Sequence, residues 1–328
     1  MTGAQAEVAT SPTTFFPSTA TALPPARPLT PPGCCVHPWW SEDSQNVYFV
    51  DILDSQASAV VMGVSVDGGA PEPTDLPLGL YSSSGRLLAL PGGSQWRLAQ
   101  PDGSAGWPLP AGTVNFRVSP DRAQVAWTEG SRLPLQIDRR QRTVWVADVG
   151  GQSRRQLARI TGGDLIGWEA SGGALLVTGT PAGETSRGIW RVGLDGPVSL
   201  LMNADRPRSL LLSPEGGWLA FLIAFSGDAS VDGLWILPTA GGPPRRLDSY
   251  GSFRWREEGS LLLIPFPAED GRLSVLEVDA STGESETLLA PGALPGALEN
   301  NEWSPSPDGR WLVYLNAAES NLWLMSLP

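Results

Sequence analysis

The chain has 328 residues, 41% of them hydrophobic and only 17% charged, with a formal net charge of −12. That balance supplies a sizeable core, in two average domains or one large all-β domain, and excludes the composition of a disordered chain. The acidic surplus argues against a general nucleic-acid binder and against attraction to an anionic membrane surface.

All 22 basic residues are arginine. A Schiff-base lysine, a phosphate-loop lysine and a lysine general base are therefore excluded. Gly 38 and Pro 31 together make up a fifth of the chain without a collagen period, which reads as many tight turns between short strands.

In chain order, residues 1–33 form a Thr/Pro-rich N-terminal arm with neither a basic start nor an apolar signal core. Such an arm suits a tether whose signal or anchor was removed upstream. Cys34 and Cys35 are the only cysteines. A bridge between neighbours closes a strained small ring, so the pair offers no disulfide framework and no statement about redox compartment. Residues 34–328 read as a single domain, and no apolar stretch in the chain reaches the ~20 residues that span a bilayer.

Across that domain a tight-turn signal recurs between apolar runs. It reads Ser-Glu-Asp-Ser at 41–44, Ser-Ser-Ser-Gly at 82–85, Ser-Pro-Asp-Arg at 119–122 and Glu-Ala-Ser-Gly at 169–172. It continues as Ser-Pro-Glu-Gly at 213–216, Arg-Glu-Glu-Gly at 256–259 and Ser-Pro-Asp-Gly at 306–309. The final turn positions lie 37 to 50 residues apart. Each turn leads into a continuous apolar strand, for example Trp218 to Ile223 and Trp311 to Leu315. Such runs fit strands covered on both faces. A second signature follows in five copies, a strand centred on Trp96, Trp145, Trp190, Trp235 or Trp323.

Seven copies of a four-strand unit predict an all-β, seven-bladed β-propeller of four-stranded antiparallel blades, with six blades as the alternative count. The phrase from Trp303 to Tyr314, followed by Asn321 to Met325, resembles the WD40-like (PD40) repeat of TolB-type propellers. The resemblance covers roughly residues 36–328 and implies the fold; the repeat itself serves many unrelated activities. The α/β domain that precedes the propeller in TolB and the hydrolase domain of prolyl-oligopeptidase relatives have no counterpart here. The last copy stops at its third strand, and an open edge is a liability. Residues between about Thr13 and Pro31 are therefore expected to return as its outer strand and close the ring.

The chemistry is mostly negative. His37 is the only histidine, which excludes a multi-histidine metal or catalytic centre. There is no Gly-x-Ser-x-Gly elbow, P-loop or haem-attachment motif. Asp43, Asp121, Glu215, Glu258 and Asp308 fall in the repeated turns, where carboxylates stabilise the turn. Two places remain. Arg117, Arg254 and Glu302 stand on strands expected to line the channel, with His37 at the start of the first of them. They form either a polar ligand site or a structural ion pair solvated by channel water. The loop from about Thr128 to Arg142 carries Arg132, Arg139, Arg140 and Arg142, a basic cluster suited to an acidic partner, or simply a solvated loop. The linker 290–301 is expected on the same face.

These readings predict a non-enzymatic protein- or peptide-binding module, extracytoplasmic (periplasmic, cell-surface or secreted), with no nucleic acid as partner, no membrane insertion and no cofactor. One alternative is a hydrolase or lyase acting on a carbohydrate or ester, with channel carboxylates or a bound Ca²⁺. Another is a structural subunit of a larger assembly.

Overall fold

The last positions of the seven turns, Ser44, Gly85, Arg122, Gly172, Gly216, Gly259 and Gly309, all take a left-handed backbone with φ between +62° and +82°. In six copies the amide at this position closes the turn onto the residue three before it, as Ser44 N does onto Ser41 O at 3.0 Å and Gly309 N onto Ser306 O at 2.9 Å. The serine that opens the turn is used repeatedly in the same way. Ser41, Ser119 and Ser306 each donate a hydroxyl to the turn aspartate (Asp43, Asp121, Asp308) at 2.5–2.6 Å. Each also accepts from the amide that begins the next strand at 2.9–3.0 Å. A local motif thus fixes the direction in which each hairpin leaves the turn.

The computed structural model of the chain describes residues 26–34, 36–52, 59–130, 136–249, 251–266, 271–296 and 298–328. Each of the first six repeats contributes four antiparallel strands in sequence order. The first comprises Val36–Trp40, Asn46–Asp51, Val60–Ser65 and Glu72–Pro73, and the second Leu80–Tyr81, Leu87–Gly92, Gln95–Ala99 and Ala105–Pro108. The fifth runs from Arg208–Leu212 to Arg245–Arg246 and the sixth from Gly251–Glu257 to Ser285–Leu289. The third and fourth repeats share one eight-stranded sheet. They are joined where strand Arg155–Thr161 meets strand Ala174–Pro181 at Ile160↔Pro181 and Thr161↔Thr180. The result is a propeller-like ring of small antiparallel sheets.

The seventh repeat contributes Leu298–Pro305, Trp311–Asn316 and Asn321–Ser326, and its outer strand is Arg27–Pro28, paired at Arg27↔Leu324 and Pro28↔Trp323. Thr30 extends the seam: its hydroxyl accepts from Leu322 N at 2.9 Å, and its carbonyl accepts from Asn321 Nδ2 at 3.2 Å. Leu29 is buried with Val313, Leu322 and Leu324. Cys34 is disulfide-bonded, and Cys35 lies outside the described residues.

The core lies between sheets. One apolar cluster joins Trp40 and Phe49 of the first repeat to Leu322 of the seventh, another joins Leu176 of the fourth to Phe221 of the fifth, and a third joins Leu262 of the sixth to Tyr314 of the seventh. Tryptophans on the inner strands tie neighbours together. The indole of Trp168 donates to Arg117 O, that of Trp255 to Leu211 O and that of Trp303 to Ser252 Oγ, each reaching the preceding repeat at 2.7–3.0 Å. Burial satisfies the ring and the N–H in one arrangement. Trp39 and Trp107 fall outside that register. Trp39 stacks on Tyr81 at 4.9 Å, and Trp107 meets Trp127 edge-on at 5.5 Å.

Candidate functional site

Inner strands of the first, sixth and seventh repeats bring together three of the four residues expected at the channel, His37, Arg254 and Glu302. His37 Nδ1 lies 3.3 Å from Glu302 Oε1, and the charge of Glu302 acts on Arg254. Removal from bulk water pushes the Arg254 guanidinium below its ordinary pKa, and Glu302 opposes that shift. Arg254 also lies over the Trp303 ring at 5.3 Å. Arg117 stands apart, on the third repeat. Its Nε donates to Ile166 O at 2.9 Å and its Nη1 to Asn115 Oδ1 at 2.6 Å. The first bond ties it to the neighbouring repeat, the second to its own strand, while burial away from water lowers its pKa as well. Arg254 also lines a cavity of about 280 Å³ set against the turns of the fifth, sixth and seventh repeats and Ser83 and Ser84 of the second.

Antiparallel order sends alternate connections to opposite ends of the ring. Turns between first and second strands, and between third and fourth, share one end. Connections between second and third strands, and from one repeat to the next, share the other. The turn end is largely occupied with itself. Glu258 accepts from Ser213 Oγ, Glu215 N and Gly217 N of the preceding repeat at 2.8–3.1 Å, and Asp308 N donates to Ser44 Oγ across the closure. Arg256 Nε donates to Gly309 O at 2.8 Å.

The loop end differs. Of the four arginines expected there, Arg139 is exposed on a short 3₁₀ turn and Arg140 is half-buried beside it. Arg142 is buried at 6% exposure on strand Gln141–Asp148, and Arg132 lies outside the described residues. Arg140 and Arg142 line a cavity of about 710 Å³ together with Arg187, Arg206 and Arg208. Arg187 and Arg206 come from loops of the fourth repeat and its link to the fifth, and Arg208 opens the fifth repeat's first strand, so none is visible to a reading of one loop at a time. Asp138 sits among them, receiving Arg187 at 2.8 Å and Arg206 at 2.6 Å. Hydrogen bonding from Arg187, joined by Arg206, holds the Asp138 carboxyl below its usual pKa. The three most exposed large apolar side chains among the described residues, Phe225 at 88%, Phe266 at 68% and Ile52 at 61%, all stand at the start of second-to-third-strand connections, at this same end.

Among the described residues no three His, Cys, Asp or Glu side chains gather closely enough to hold a metal ion, and no helix is long and apolar enough to cross a membrane.

A ring of small antiparallel sheets built from this repeat, with one loop-rich end, has the architecture of a β-propeller. No family model matches the chain, and no curated protein matches it in sequence. Solved structures similar to it include an oligogalacturonate lyase from Vibrio parahaemolyticus, at 9% identity and a TM-score of 0.63, covering 95% of this chain and 96% of that one. TolB from Acinetobacter baumannii is 14% identical over 78% of this chain and 54% of its own, with a TM-score of 0.38. A Mycobacterium tuberculosis puromycin-hydrolyzing peptidase is 18% identical over 86% and 49%, with a TM-score of 0.49. At these identities the likeness is one of fold.

Proposed function

We propose that the chain is a non-enzymatic, extracytoplasmic module that holds a protein or peptide on the loop end of its ring and at the channel mouth. The observation that supports this most is the contrast between the two ends. The turn end spends its polar groups on its own neighbours, whereas the loop end presents Phe225, Phe266 and Ile52 to solvent and also holds an arginine-lined cavity. Exposed apolar side chains at one end of a molecule mark a contact surface.

The same reading counts seven blades over residues 34–328. The eight-stranded sheet is two blades joined by their rim pairs, and the segment before residue 34 is the closing arm. A crystal structure with one continuous curved sheet in place of the third and fourth blades would contradict that count.

The binding function is tested by capture from envelope and soluble fractions of the native organism, with the full chain as bait and a Phe225→Ser/Phe266→Ser variant as control. A partner retained by the first and lost by the second supports the module. Equal retention would move the contact away from the loop end, and no specific partner in either fraction would contradict the reading.

A further inference from the structure

The cavity at the loop end gathers five arginines from three successive repeats, in a chain whose net charge is −12. Asp138 and Asp164 line it, and Asp205 reaches Arg187 at 3.4 Å at the rim. The carboxylates are fewer than the guanidiniums, so the walls keep a positive excess. Asp138 orients two of the arginines by binding one through each carboxylate oxygen. Arg187 is held further by Gly162 O at 2.7 Å. Guanidiniums held this way are preorganised for a planar bidentate acceptor such as a carboxylate.

Next to this charge lies an apolar contact. Arg208 lines the cavity, and its guanidinium also lies 5.7 Å from the ring centroid of Phe225. Phe225 occupies a left-handed backbone at φ 62° while 88% exposed. A bulky side chain gains nothing from either condition in the isolated fold. Its loop is nevertheless held in place: Asp232 accepts from Phe225 N at 3.1 Å and Ser226 N at 3.0 Å, and Val231 O accepts from the Trp235 indole at 2.8 Å. An aromatic side chain on an anchored loop therefore stands against Arg208 of the cationic cavity.

Resting on the peptide-binding reading above, we propose that the cavity between the third, fourth and fifth repeats takes the carboxylates of an acidic peptide segment, with a flanking apolar side chain of that segment covering Phe225. Charge complementarity selects the acidic residues, and the exposed ring selects the apolar neighbour.

The test is selection of a displayed library of random short peptides on the full chain at low ionic strength. Binding of the synthesised consensus is then measured to the wild type, to Arg206→Gln/Arg208→Gln and to Phe225→Ser. Arg206, Arg208 and Phe225 are all exposed, so the variants are expected to fold, and a melting curve checks this. The expected consensus is rich in Asp and Glu around an aromatic or aliphatic residue. Its affinity should fall by about tenfold in the double arginine variant and severalfold in Phe225→Ser, and it should weaken as salt rises. Selected peptides that lack acidic residues, or that bind the arginine variant equally well, overturn this inference and leave peptide binding standing. A polyuronate that competes as well as the acidic peptide overturns it in favour of an acidic carbohydrate. Failure to select any binding peptide overturns both this inference and the peptide-binding reading.

Discussion

The indole Nε1 of Trp40 donates to the backbone carbonyl of Ser304 at 3.1 Å, joining residues 264 positions apart. This bond sits where the first repeat meets the last, and Trp40 is fully buried. Trp40→Phe keeps most of the apolar volume and removes the donor, leaving a carbonyl short of a partner. The expected cost is about 1–2 kcal/mol, seen as a fall of several degrees in the melting temperature. An unchanged melting curve would mean that the closure does not depend on this bond.

The arm is the second component of the closure. Leu29 is 4% exposed in the cluster formed by the first and seventh repeats. Leu29→Ala should cost about 2–3 kcal/mol. Removing residues 1–31 should expose the edge of strand Asn321–Ser326 and drive self-association, which light scattering would detect.

The seven turn positions differ in what they demand. Arg122 adopts φ 62° without being glycine. Arg122→Gly should therefore gain a few tenths to about 1 kcal/mol, the relief of left-handed strand sterics set against the greater freedom of glycine in the unfolded chain. Gly216→Ala is the opposite case. Its φ is +82°, and an added Cβ would lie 2.7 Å from Trp168 O, so a loss of at least about 2 kcal/mol is expected by denaturant titration.

Acid should weaken the ring through the same turns. The Ser41 hydroxyl lowers the pKa of Asp43, and the Ser119 hydroxyl lowers that of Asp121, each helped by a backbone amide. A carboxyl depressed on folding stabilises the fold above its unfolded pKa of about 4. That stability is lost as pH falls through the lower folded value. Melting temperature should thus hold near neutrality and decline below about pH 4. Ser41→Ala/Ser119→Ala should flatten part of that decline, and an unchanged acid profile in this variant would contradict the assignment.

The repeat was legible because its demands are local. A left-handed residue after Ser-Pro-Asp, a following apolar run and a tryptophan at fixed offset are all read along one strand, even where Ser44 and Arg122 replace glycine. What escaped depends on neighbours. The pairing of Thr161 with Thr180, which merges two repeats into one sheet, follows from how two adjacent sheets meet at their rims. The cavity arginines were half visible. Arg140 and Arg142 stand close in sequence, but Arg187, Arg206 and Arg208 join them only through the ring. Arg142 carries a charged side chain on a strand pattern that alternates inward, and its burial follows from that alternation (a signal present in the sequence but outweighed by the basic cluster around it).

The most direct measurement is photo-crosslinking in the native organism, with a photoreactive amino acid placed at Phe225 on the loop end or at Asp102 on the turn end. A partner adduct from position 225, absent from position 102, is the predicted result. Adducts from position 102 alone, or from neither position, would contradict a binding function for the loop end.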